Sequence, residues 1–168
     1  GAKVITNEID PRRRRAASAL GFEPYSVDAE FIDDLLPGHL LPDIVLANPP
    51  FSSTGGRVKN NSLDFGFRHI ESALRRLKKG GRFAVILGES GSPRSHSGNR
   101  FWEYLSPEVQ VKASVELLGR EFYSNGTSVK TTLILGTKSS AIDTPLSSQL
   151  EAAPHMVAQS IEDAFEQS

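Results

Sequence analysis

The apolar run Asp43-Ile44-Val45-Leu46-Ala47 breaks off at Asn48-Pro49-Pro50-Phe51, and no other feature limits the fold of this chain as much. Five apolar-rich residues suit a strand and are too few for a helix. Two prolines, which carry no N–H, stop the ladder from continuing. The run therefore reads as a compact buried strand that leaves a side-chain amide and bare carbonyls at the carboxyl edge of a sheet. Such a rim can grip a planar amino group. An isolated Asn-Pro pair is also an ordinary turn signal, so the surroundings have to decide between the two.

Those surroundings alternate strand and helix. Val4 to Ile9 is β-prone and ends at Asp10-Pro11, where Asp10 reads as the cap and Pro11 as the first residue of a helix reaching Leu20, with Gly21 closing it. Phe22 to Val27 reads as a weaker strand and Asp28 to Leu36 as a helical turn. Ser62 to Lys78 places Leu63, Phe67, Ile70, Leu74 and Leu77 on one helical face, and Lys79-Gly80-Gly81 ends it. Arg82 to Leu87 is again a strand. Gly88 to Asn99 is rich in Gly and Ser and reads as a mobile loop before a helix at Arg100 to Leu105. Val109 to Leu118 and Thr127 to Lys138 read as a hairpin. The fold expected is α/β, a Rossmann-like doubly wound and mostly parallel sheet with a C-terminal antiparallel hairpin, over residues 1–138. Residues 139–168 turn to Ser, Ala, Gln and Glu and are expected to be a linker or helical appendage.

Composition narrows the function classes. A chain of 168 residues with 38% hydrophobic content supports one core. The net charge of -1 provides no global basic field, so any polyanion has to meet a local patch. With no cysteine and four scattered histidines, no metal site is expected. No apolar stretch reaches the roughly 18 residues that span a bilayer, and the start lacks a signal-peptide layout, which leads to the expectation of a cytoplasmic protein without a membrane partner.

In an open α/β sheet, ligands collect beyond the carboxyl ends of the strands. Three strands end there in Glu8, in Asp28 and in Asn48 to Phe51. A carboxylate accepts two hydrogen bonds at once, which suits Glu8 to ribose hydroxyls. Asp28 is placed to accept from the exocyclic amine of an adenine, with Ile9 or Phe31 as an apolar wall and Ala29 beside it. A helix cap or solvated turn is the plain alternative for each acid, and it explains Asp10 better. The run Arg12 to Arg15 spreads round a helix and reads first as a solvated face.

This arrangement resembles the class I S-adenosylmethionine-dependent methyltransferases, and Asn48-Pro49-Pro50-Phe51 resembles their amino-methylating branch, above all the N6-adenine DNA methyltransferases. The likeness runs from about Val4 to Lys138. The stretch Asn48 to Leu87 is also similar to methylase domains of phage and plasmid proteins that join a methylase to a helicase. The resemblance implies S-adenosylmethionine as cofactor, held by Glu8, Ile9, Asp28, Ala29 and Asn48. It implies DNA as partner, with an adenine flipped out of the duplex. Asn48 to Phe51 are the implied catalytic residues. Phe51, Arg57, Lys59, Phe122 and Tyr123 are the implied substrate contacts, and restriction-modification is one implied setting.

The chemistry explains these residue types. An aromatic amine delocalises its lone pair and becomes nucleophilic when acceptors draw on its N–H bonds, a job for the Asn48 oxygen and the Pro49 carbonyl. Phe51 would stack on the base. The family's first strand and its glycine-rich Phe-x-Gly-x-Gly turn have no counterpart in this sequence. A fragment of a longer enzyme is the expectation, with completion by a partner chain or a degenerate, non-catalytic nucleic-acid-binding module as alternatives. Methylation of guanine N2 in RNA, or of a protein glutamine, would use the same tetrapeptide.

Overall fold

The computed structural model describes residues 1–49, 62–118, 130–139 and 143–167, with backbone only at 62–65 and 165. Helix α1 spans Pro11–Ala19, started as the sequence dictates: the Asp10 carboxylate accepts from the N–H groups of Arg12 and Arg13 at 2.8 and 3.0 Å. Gly21 follows in the left-handed region at φ 88°, where a side chain would be strained. A 3-10 turn at Ala29–Phe31 leads into the short helix α2, Ile32–Leu35.

The central sheet is built from β1 (Ile44–Ala47), β2 (Arg82–Gly88), β3 (Val109–Leu117), β4 (Thr131–Lys138) and β5 (His155–Ala158), in the order β1-β2-β4-β3-β5. β1 runs parallel to β2 and β5 parallel to β3, while β4 lies antiparallel to both β2 and β3. The α/β reading and the late hairpin are borne out, and the sheet is mixed. A hairpin needs no long crossover, so β3 and β4 pair directly.

Helix α3, Ser62–Arg76, packs the face that its spacing marked out: Ile70, Leu74 and Leu77 are buried against Phe83 and Val85 of β2. Helix α4, His96–Leu105, adds Trp102, whose ring stacks on Phe83 at 5.9 Å and whose indole N–H donates to the Gly91 carbonyl at 3.0 Å. The Gly88 to Asn99 stretch, expected to be a mobile loop, instead forms a 3-10 turn at Glu89–Gly91 and the first turn of α4, with Ser92, Pro93 and Gly98 buried. Gly91 and Gly98 serve close approach: a Cβ on Gly98 would sit 2.1 Å from the Ser92 carbonyl oxygen.

Two further expectations change. The 44–47 strand is not buried, because among the described residues it pairs on one side only. Ile44 is 49% and Leu46 79% exposed. The segment read as a linker or helical appendage supplies helix α5, Leu146–Ala152, strand β5 and helix α6, Ile161–Glu166. Leu146 and Leu150 enter the core, and the Gln149 side chain accepts from the Val111 N–H at 3.0 Å. Among the described residues no helix is long and apolar enough to cross a membrane.

Candidate functional site

The first two strand-like segments meet in a single parallel bridge between Asn7 and Tyr25, in which Glu8 N–H donates to the Tyr25 carbonyl and Tyr25 N–H to the Thr6 carbonyl, both at 2.9 Å. The Asn7 side chain ties the same segments one step further on. Its oxygen accepts from Val27 N–H and its amide donates to Val27 C=O, each at 3.0 Å. This residue places Glu8 and Asp28 at neighbouring strand ends, and nothing in the local sequence pattern distinguishes it from a surface Asn.

Opposite lies the carboxyl end of β1. A cavity of about 620 Å³ separates the two, and Glu8, Ile9, Asp28, Ala29, Asn48 and Pro49 all line it. Three separate stretches of chain thus bring every expected cofactor residue to one hollow. Asn48 is exposed there, and among the described residues its side chain makes no hydrogen bond, while Pro49 beside it is buried. Pro50, Phe51, Arg57, Lys59, Phe122 and Tyr123 lie outside the described residues.

The acids are less free than the sequence suggests. Both Glu8 oxygens take hydrogen bonds from Arg13, at 2.8 and 3.1 Å, and one also accepts from Asp10 N–H at 2.8 Å. The Arg13 guanidinium holds the Glu8 carboxyl below its ordinary value, against a smaller opposing push from burial. A diol pairing with Glu8 therefore has to displace Arg13, itself a wall of the cavity. One Asp28 oxygen accepts from Glu30 N–H at 3.0 Å, so Asp28 is a helix cap with one oxygen left over.

The floor holds residues that the sequence reading did not single out. Ile32, Ala73, His69 and Arg76 line it, and Arg76, buried, donates to the carbonyls of Ile32, Leu36 and Pro37. That triple contact seals the carboxyl end of α2, a role hidden in sequence because it joins residues some forty positions apart. The Thr6 hydroxyl, also on the cavity wall, is a buried oxygen without a partner among the described residues. The volume lies within the roughly 300–1,000 Å³ range of small-ligand sites, and Asp28 and Asn48 each bring a hydrogen-bond acceptor to it.

No family model matches this chain, and no curated protein sequence does. Solved structures do match. The M protein of the type I restriction enzyme EcoKI aligns over 80% of this chain and 30% of its own, with a TM-score of 0.61 and 22% identity. Over these residues the chain shares the fold of part of that M protein. The type I restriction-modification methyltransferase subunit from Streptococcus thermophilus aligns over 68% of the chain with a TM-score of 0.53 and 23% identity, covering 27% of that subunit. A modification subunit from Vibrio vulnificus aligns over 71% with a TM-score of 0.54 and 18% identity, covering 28% of that chain. This chain thus spans less than a third of the length of each of the three.

Proposed function

We propose that this chain carries the acceptor-amine half of an S-adenosylmethionine-dependent DNA methyltransferase site, directed at adenine N6. One observation carries the reading: Asn48 and Pro49, from the end of β1, share a single cavity with Glu8, Ile9, Asp28 and Ala29. The cofactor, when bound, supplies an activated methyl group. Asp28 would hold its adenine edge, and Glu8, once Arg13 swings aside, its ribose.

The chain's own task is to hold the substrate amine and accept from it. The Asn48 oxygen and the Pro49 carbonyl take hydrogen bonds from the substrate NH2 and favour a tetrahedral nitrogen, so dipoles stand where positive charge develops. Orientation and near contact carry most of the rate, and no strong base is required before transfer. The methyltransferase-subunit fold supports the reaction type, and the restriction-modification setting of the three similar structures favours DNA over RNA or protein.

The test is transfer of labelled methyl from the cofactor to unmethylated DNA by the whole protein. Label on adenine N6, lost in Asn48→Ala with an unchanged melting profile, is the expected result. Label on RNA or on a glutamine side chain would move the substrate elsewhere. Cofactor that fails to bind in a calorimeter would remove the enzymatic reading.

A further inference from the structure

A second cavity, of about 940 Å³, adjoins the first at Ile5 and Leu40, which line both. It gathers cations from two separate segments: Lys3 ahead of the Asn7 bridge, and Arg14 and Arg15 from α1. Among the described residues Glu23 is the one carboxylate on its wall. Arg13, the residue before Arg14, has a carboxylate partner in Glu8. Among the described residues Lys3, Arg14 and Arg15 form no ion pair.

Arg14 is half-buried and, among the described residues, makes no ion pair, so its guanidinium is open to an anion that enters the cavity. The same wall is also aromatic, with Phe22 39% exposed and Tyr25 half-buried. A solvated arginine face needs neither convergence on a hollow nor rings beside it. Phosphates set against cations, with flat bases on aromatic side chains, are how single-stranded nucleic acid is held. An acidic peptide would use the cations and leave the rings idle.

We propose that this cavity is a nucleic-acid contact site separate from the candidate methyl-transfer site, with Lys3, Arg14 and Arg15 on strand phosphates and Phe22 against a base. The inference borrows from the proposed function only the choice of nucleic acid as the polyanion. It adds a backbone track on the side of α1.

The experiment is fluorescence anisotropy of the 168-residue chain with a labelled single-stranded oligonucleotide across a salt series. Arg14→Ala/Arg15→Ala should weaken binding and lower the log–log salt slope by about 1.4, roughly 0.7 for each phosphate no longer neutralised. Phe22→Ala should weaken binding with the slope unchanged. Circular dichroism should be unaltered, because α1 buries none of its residues.

No binding by the unaltered chain, or equal affinity and slope in the double variant, overturns the site. So does an equal loss from Arg12→Ala, which lies outside the cavity, or complete displacement of the oligonucleotide by polyglutamate. Methyl transfer to DNA with unaltered affinity in the double variant would sink this site and spare the proposed activity. Oligonucleotide binding lost in the double variant, without any methyl transfer by the unaltered protein, would do the reverse.

Discussion

The Asn7 side chain holds the Val27 peptide by both ends, accepting from its N–H and donating to its carbonyl at 3.0 Å each. These two bonds, with the Asn7–Tyr25 bridge, bind the 4–9 and 22–28 segments to each other. Asn7→Ala leaves a part-buried donor and acceptor without partners, a loss of about 1–3 kcal/mol. Urea unfolding should show a lower midpoint, and amide exchange at Val27 should accelerate well beyond that in β2.

Gly136 tests the packing of the sheet. It pairs with Phe83 across β2 and β4, and a Cβ there would sit 2.3 Å from the Phe83 ring and 2.4 Å from the Gln110 carbonyl. Neither a strand backbone nor a ring stacked on Trp102 has room to withdraw. Gly136→Ala should destabilise by roughly 1–3 kcal/mol, as overpacked cores do, and lower the melting temperature. Gly88→Ala, with nothing near its Cβ position, is the matched control and should change little.

Asp33 couples stability to pH. Burial alone would raise its carboxyl, but hydrogen bonds from Ser72 at 2.7 Å and Arg75 at 3.2 Å outweigh burial and hold it below the ordinary value. Its folded-state pKa is therefore lower than the unfolded one, near 3.9. The stabilisation is present above that unfolded value and is lost as pH falls through the folded one. Denaturation curves from pH 7 downward should show a steeper acid loss in the unaltered chain than in Asp33→Asn. The variant should be the less stable of the two at neutral pH.

Arg13 sets the state of the cavity's first acid. With Arg13→Gln, the Glu8 carboxyl should move back up toward its ordinary value, since the Arg13 hydrogen bond is the largest influence on it. Carbon-detected NMR titration of the Glu8 carboxyl reads this directly. The salt bridge is largely solvated on the Arg13 side, 72% exposed, so the melting temperature should barely move.

What the sequence made legible follows from how local each signal is. Asp10, Pro11 and Gly21 bracket α1 within a dozen residues, and the spacing of Ile70, Leu74 and Leu77 names the buried face of α3 without outside help. Of the three expected strand ends only the one after Ala47 closes a strand of the sheet, while the 4–9 and 22–28 segments, read as strands, meet in a single bridge at Asn7 and Tyr25. The open side of β1 was not legible, because exposure of Leu46 depends on which elements pack beside it, β2 alone among the described strands, and not on the residue itself. The Gly88 to Asn99 stretch misled because Gly91 and Gly98 answer to contacts with Leu87 and Ser92, and composition cannot tell such a glycine from a flexible one. His155 to Ala158 is too short to alternate visibly, and its pairing with Ser114 to Leu117 spans about forty positions. The Arg13 hold on Glu8 reaches across a helix cap, a distance that no strand or helix periodicity encodes.

β5 has a consequence for where this chain can be cut. Ser114 N–H donates to the Pro154 carbonyl and Leu118 N–H to that of Ala158, while Gln149 answers Val111 from the α5 side. Stopping at Lys138 would strip β3 of its outer neighbour from Ser114 to Leu117 and uncover the apolar wall beneath Leu146. Such a truncated molecule would expose a raw seam, open to any passing backbone, and would be sticky where the intact chain is sealed.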